Sequence, residues 1–189
     1  MKNEPTIGEV FLTSLAFRFF GKSVYKGYAD QLPLSGNEKV LDFGSGMGTV
    51  AYYVAQRLTP GHGHLTCVDI SRRWLAACSK TLRRFPGVSF LQGDVCGLPL
   101  PKESFDLIYC HFVLHDISDG ELGKVLPVLV GLLKSKGLLA FREPLKETEK
   151  LKGVQRLLEE QEGLSKKENR VTDVPYMGNT LESIYIKAE

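Results

Sequence analysis

Long apolar runs, paired cysteines, a dominant charge and low-complexity tracts are all missing from this chain of 189 residues, and most of these absences exclude a class of protein. No window reaches the roughly 18 consecutive apolar residues that a bilayer-spanning helix needs, so no membrane span is expected. The first apolar stretch, residues 10–20, is broken by Thr13, Ser14 and Arg18. It follows Met1-Lys2-Asn3-Glu4-Pro5 without a small-residue cleavage site, which does not read as a secretion signal. The four cysteines, Cys67, Cys78, Cys96 and Cys110, contain no Cys-x-x-Cys pair, and reduced thiols in a cytoplasmic protein are expected. A net charge of +2 argues neither for nor against a nucleic-acid partner. The most charged stretch, 146–170, balances seven Lys or Arg against six Glu, as on a solvated helix face. With no repeat or linker in view, residues 1–189 are expected to form a single domain.

What is present is an alternation. Hydrophobic residues make up 43% and charged residues 24%, the balance of a globular protein. Strand-length apolar runs recur at 39–43, 64–69, 88–92, 105–110 and 137–142, mostly continuous rather than alternating, as in a parallel sheet covered on both faces. Helix-compatible segments at 49–58, 72–85 and 121–133 lie between them, so an α/β fold with right-handed crossovers is expected. Residues 7–34 read as one or two amphipathic helices ahead of the first strand. Residues 150–162 read as a last helix, followed by strands at 170–176 and 181–187 that reverse at Met177-Gly178-Asn179-Thr180.

The chemistry begins at VLDFGSGMGTV, residues 40–50. A glycine-rich turn from strand to helix lets backbone approach a ligand, and the helix N-terminus adds oriented N–H donors. A dinucleotide fingerprint needs Gly-x-Gly-x-x-Gly, whereas Gly44, Gly46 and Gly48 put the third glycine one place early; no Gly-Lys-Ser or Gly-Lys-Thr follows to complete a phosphate loop. Asp69 ends the second strand, where an acid accepts both ribose hydroxyls of an adenosine, and Asp94 ends the third, where an exocyclic amine of adenine can donate to it. A turn that binds nothing, with Asp42 and Asp69 as loop-capping acids, is the alternative reading.

Taken together, Asp42-x-Gly44-x-Gly46-x-Gly48, Asp69, Gly93-Asp94-Val95 with Leu98-Pro99, Phe105-Asp106-Leu107-Ile108 with Val113-Leu114-His115, and Leu132-Leu133-Lys134 with Gly137 resemble the class I S-adenosylmethionine-dependent methyltransferases. The likeness is nearest to the small-molecule branch that includes ubiquinone and menaquinone methyltransferases. It implies a Rossmann-like, seven-stranded, mostly parallel sheet with an antiparallel last strand and helices on both faces. Residues 1–36 would form a helical lid or cap, a helix packed on the sheet edge being the other reading, 37–145 the cofactor core, and 146–189 the last helix and hairpin. It further implies S-adenosylmethionine as cofactor, with Gly44, Ser45 and Gly46 against its methionine part and Asp42 ordering that loop or meeting the amino group. Asp69 would hold the ribose, Ile70 lie on the adenine, Asp94 and the Val95 amide read its edge, and Cys110 and His111 sit nearest the sulfonium. Tyr25 or Tyr28 would reach the cofactor carboxylate if the N-terminal segment closes.

Methyl transfer from a sulfonium is an in-line displacement that needs alignment and exclusion of water rather than a metal or a protein nucleophile, and no metal site is expected. A base is required only for a protonated acceptor, and His111 and His115 are the candidates. Substrate orientation by His111 and helix packing by His115 are the alternatives, with Asp116 able to orient His115. Arg142-Glu143 lies where the family places acceptor contacts, a mutual ion pair being the other reading. The acceptor is expected to be a small, apolar or aromatic molecule and not a nucleic acid, since Tyr109-Cys110-His111-Phe112 replaces the Pro-Pro-Tyr motif of amino-methylating nucleic-acid enzymes. The competing functions are a non-catalytic binding protein of the same fold, a nicotinamide-dependent oxidoreductase, and a catalytic core that recognises its substrate through a partner protein.

Overall fold

The computed structural model describes residues 4–175 and 177–189, so Met1, Lys2, Asn3 and Tyr176, all touched by the expectations above, lie outside the described residues. The chain divides into two compact units, residues 2–94 and 95–189. Their strands form a seven-stranded sheet in the order β3-β2-β1-β4-β5-β7-β6.

The first unit holds helix α1 (Ile7–Gly21), a π turn (Lys22–Lys26), α2 (Gly27–Gln31), β1 (Lys39–Phe43), α3 (Thr49–Leu58), β2 (His64–Asp69), α4 (Arg72–Leu82) and β3 (Val88–Gln92). Strand β1 pairs with β2 and β2 with β3, all parallel, in the registers Val40↔Leu65 and Leu65↔Val88. In β1, Val40, Leu41, Asp42 and Phe43 are buried in succession, as both faces of a covered parallel strand require. The α1 start is fixed by a capping box in which Thr6 and Glu9 exchange backbone and side-chain hydrogen bonds. At the other end of this segment Arg57 donates to the carbonyl oxygens of Ala29, Leu32 and Leu34, binding the chain after α2 to α3.

The second unit holds β4 (Phe105–His111), a 3-10 turn (Leu114–Asp116), α5 (Asp119–Leu132), β5 (Leu133–Pro144), α6 (Thr148–Glu159), β6 (Leu164–Val174) and β7 (Gly178–Lys187). Strands β4 and β5 run parallel, while β5–β7 and β7–β6 are antiparallel. Among the described residues no helix is long and apolar enough to cross a membrane.

The sequence reading needs three corrections. Helix α1 is not amphipathic: Phe17 and Gly21 face α3, yet Ile7, Phe11, Leu12, Leu15 and Phe19 on its outer side are also apolar, and exposed. The stretch 146–170 is not one wet helix. Its first part is α6, and from Leu164 it becomes β6, whose charged side chains suit an edge strand because they repel further pairing. The reversal comes before Gly178, earlier than expected, because Asn179 and Thr180 are already paired in β7, opposite Asp173 and Thr172.

Strands β5, β7 and β6 are fastened by a row of charges. Arg142 and Arg170 both lie opposite Glu182, whose Oε1 accepts from Arg142 Nε at 2.7 Å and whose Oε2 accepts from Arg170 Nε at 2.8 Å. Arg142 and Glu182 are almost fully buried. Removing one member of such a row leaves a buried charge without its counter-ion, at a cost of about 3–5 kcal/mol. Glu182→Ala should therefore lower the unfolding free energy in urea by about that amount, while Glu168→Ala on the exposed edge changes it by under about 0.5 kcal/mol.

Candidate functional site

In the first unit, the C-terminal ends of the three parallel strands are drawn together by one residue, Asp69. Asp69 Oδ2 accepts the Gly46 amide of the loop after β1, and Oδ1 accepts the Ser71 amide opening α4, both at 2.8 Å. The Asp69 carbonyl takes the Gly93 amide after β3 at 3.0 Å. The loop after β1 also hangs on β2, since the amides of Gly44 and Ser45 share the Val68 carbonyl. Gly44, Gly46 and Gly48 stand at φ +76°, +53° and +80°, a left-handed conformation at alternate residues that only glycine adopts cheaply.

Two of these glycines do different work. A Cβ on Gly48 would stand 2.8 Å from Cys78 Sγ on α4, so this position is required for packing α3 on α4. A Cβ on Gly46 would meet nothing within 4 Å. Beside it, Ser45 Oγ is buried and has no hydrogen-bond partner among the described residues. A buried hydroxyl without a partner costs free energy unless a ligand or water satisfies it. Asp42 is buried at the end of β1, Ile70 is exposed beside Asp69, and Asp94 is exposed after Gly93, whose φ is +149°.

One residue of this region carried no signal in the sequence. Glu4 accepts the Ser71 hydroxyl at 2.6 Å and the amides of Arg72 and Arg73 at 2.9 and 3.3 Å, so its carboxylate sits on the N-terminus of α4. These contacts, the Ser71 hydroxyl foremost, hold its pKa below the ordinary carboxylate value. Asp69 shifts the other way, because burial outweighs its two amide hydrogen bonds. Tyr28, expected near the cofactor, is buried in α2, and Tyr25 in the π turn is hydrogen-bonded to Thr49 at the start of α3.

In the second unit, Val95 and Cys110 are buried, and His111 ends β4. Phe112 follows at φ +54°, its amide donating to the Arg142 carbonyl and its ring 4.2 Å from that of His111. Burial first, and the positive Arg142 second, hold the His111 pKa well below the usual 6.5, so its ring is neutral at physiological pH.

His115 is oriented by a group other than the one expected. Glu143, fully buried at the end of β5, accepts the amides of Val113 and Leu114 through Oε1 at 2.9 and 2.7 Å, and its Oε2 lies 2.5 Å from His115 Nδ1. Asp116 stands 3.7 Å from His115 Nε2, too far for a hydrogen bond. Of the two readings of Arg142-Glu143, the mutual ion pair is disfavoured: neighbours in a strand point to opposite faces, and Arg142 turns to Glu182.

A family model described as a methyltransferase domain matches residues 40–137. The phthiotriol/phenolphthiotriol dimycocerosates methyltransferase of Mycobacterium leprae is 33% identical over 129 residues, covering 64% of this chain and 43% of that protein. The chain thus spans less than half the length of the curated relatives it matches. Among solved structures, a SAM-dependent methyltransferase from Aquifex aeolicus superposes with a TM-score of 0.77 at 18% identity, covering 98% of this chain and all of that one. The N-methyltransferase NodS from Bradyrhizobium japonicum gives 0.71 at 21%, covering 87% and 94%. At these identities the structural matches establish the fold.

Two outcomes are expected. Gly46→Ala should cost about 1–2 kcal/mol of stability, the strain of a left-handed Cβ alone, and Gly48→Ala distinctly more, as read from urea midpoints. Because the folded pKa of His111 is depressed, its contribution is complete above 6.5 and is lost as pH falls toward the folded value, at up to about 1.4 kcal/mol per pH unit. His111→Asn should flatten the decline in stability between about pH 7 and pH 5, and an unchanged slope would assign that proton to another group.

Proposed function

This chain belongs to the methyltransferase-domain family, and from that premise we propose that it moves the methyl group of S-adenosylmethionine to an oxygen, nitrogen, carbon or sulfur atom of a small, apolar or aromatic, lipid-like acceptor in the cytoplasm. Membership in this family sets aside the nicotinamide-dependent oxidoreductase reading. The observation that carries the proposal is the Asp69 tie between the loops after β1, β2 and β3, with a buried polar Ser45 hydroxyl and open space at Gly46 beside it. The lipid-like acceptor draws support from the mycobacterial relative, whose name specifies a phthiotriol dimycocerosate substrate.

The residues present suit the cofactor. In this reading Gly44, Ser45 and Gly46 lie against the methionine part, Asp42 orders that loop or meets the amino group, and Tyr28 serves the carboxylate. Asp69 has used one lone pair on each oxygen, which leaves acceptor capacity on both for the two ribose hydroxyls. Exposed Ile70 offers an apolar surface to the adenine, with Asp94 and the Val95 amide reading its edge. Cys110 and His111 serve the sulfonium end. Residues 1–36 act as the cap, 37–145 as the core, and 146–189 as the last helix and hairpin of one methyltransferase domain.

When bound, S-adenosylmethionine supplies an electrophilic methyl group on a positive sulfur. A neutral His111 adds no second positive charge, which favours that cation. Glu143 acts as a positioning residue. By accepting a hydrogen bond from Nδ1 of His115 it makes Nε2 the basic nitrogen, the arrangement a base needs to take a proton from a phenol, alcohol or ammonium acceptor.

Calorimetric titration tests the cofactor half. Binding of S-adenosylhomocysteine should weaken by about 1–3 kcal/mol in Asp69→Ala, the scale of lost hydrogen bonds to a charged group. Binding of a nicotinamide cofactor with none of S-adenosylhomocysteine would overturn the reading. For the chemical half, release of S-adenosylhomocysteine is followed over a panel of apolar phenols, alcohols and amines. Glu143→Gln should lower kcat about 10- to 100-fold and move its pH profile while leaving cofactor affinity intact. Tight cofactor binding without turnover on any acceptor would point to a non-catalytic member of the family.

A further inference from the structure

We propose that α1 is a membrane-surface helix, which docks the protein in the plane of a bilayer bearing anionic headgroups. The helix has two apolar sides, only one of which is used by the fold. On its inner side Phe17 packs edge-on against Tyr52 and Tyr53 of α3, with ring centroids 5.6 and 6.0 Å away, and Gly21 is buried against the same pair. On its outer side Ile7, Phe11, Leu15 and Phe19 follow one another at four-residue intervals, so they form one stripe along the helix, and Leu12 widens it. These are the most exposed large apolar side chains of the unit, Ile7 at 79%, Phe19 at 69% and Phe11 at 65%. A water-facing helix side normally carries charge; this one is greasy for three turns.

Charge says what covers it. Arg18 and Lys22 lie at the C-terminal end of the stripe, three residues after Leu15 and Phe19 respectively, and form no ion pair among the described residues. The acids of this segment are engaged elsewhere: Glu9 in the capping box with Thr6, and Asp30 with Lys26. The stripe therefore offers apolar side chains and cations and no anion. A second copy packed stripe against stripe would bury unpaired cations against apolar surface, which desolvation opposes. A bilayer interface supplies both complements, acyl chains for the phenylalanines and phosphates for Arg18 and Lys22. From Ile7 to Phe19 the stripe is about 18 Å long at 1.5 Å per residue, short of the roughly 30 Å hydrocarbon core, so the helix lies along the surface. Docking of this kind places the protein where a lipid-like acceptor resides, but the inference stands without the methyl-transfer reading.

Co-sedimentation of the full chain with vesicles tests it, with neither cofactor nor acceptor present, so either reading can fail alone. The protein should pellet with vesicles of phosphatidylcholine containing about one third phosphatidylglycerol, and the bound fraction should fall as salt rises. The pair Phe11→Ser and Phe19→Ser should abolish binding. The pair Arg18→Gln and Lys22→Gln should weaken it about 5-fold per cation removed, each near 1 kcal/mol, and only on anionic vesicles. All these side chains are exposed, so the variants should keep the parent thermal midpoint. A Phe19→Trp probe reads insertion directly, as a blue shift on adding vesicles. Protein that stays in the supernatant at every composition overturns the proposal. So does a self-association seen by sedimentation velocity that Phe19→Ser dissolves while vesicle binding is absent, which would make a second copy the occupant.

Discussion

The loops at the C-terminal end of the first unit's parallel strands depend on where the Asp69 carboxylate points. Three loops leave three parallel strands there, and each loses its regular backbone partners on leaving the sheet. Asp69 replaces part of what is lost: its side chain takes one amide from the loop after β1 and one from the turn into α4, while its carbonyl takes one from the loop after β3. The glycine conformations follow from this, since the Gly46 amide can reach Oδ2 only if the loop folds back on itself through left-handed residues. The acid in this place therefore builds the loop framework, and in the proposed reading the same carboxylate would also hold a sugar. It is kept partly buried, and its raised pKa is the electrostatic mark of that burial.

Electrostatics divides the second unit in a similar way. Arg142 and Glu143 are adjacent in β5 and therefore point to opposite faces. One completes a buried row with Glu182 and Arg170; the other receives two backbone amides and a histidine. Two residues adjacent in the sequence thus serve two separate networks. The Arg142 charge is also felt by His111 on the adjoining strand, which links the fastening of the sheet to the protonation of a residue at the candidate site.

Much of this was legible in the sequence because it depends on local rules. Strands β1, β2 and β3 and helix α3 fall where the apolar runs and helical spacing place them, and the alternate glycines give away the loop. What was hidden depends on partners distant in the chain. Glu4 caps a helix that begins 68 residues later, and an isolated acid near an N-terminus has no pattern to mark it. Glu143 meets His115 only because β4 and β5 are parallel neighbours, a register no local window contains. The start of β6 was missed for another reason. An edge strand made of lysine, glutamate and arginine lacks the period-two apolar signal, so it reads as a continuation of the wet helix before it.

The strand order also sets a sequence of events in time. β7 lies between β5 and β6, so β6, which precedes β7 in the chain, has no place to pair in the sheet until β7 has joined β5. The row Arg142–Glu182–Arg170 has the same dependence, since its central carboxylate arrives after both arginines. Until residues 178–187 take their place against β5, two cations and a strand lack their partners, and the charge on β6 that protects the finished edge also keeps a partly folded chain from pairing with other copies.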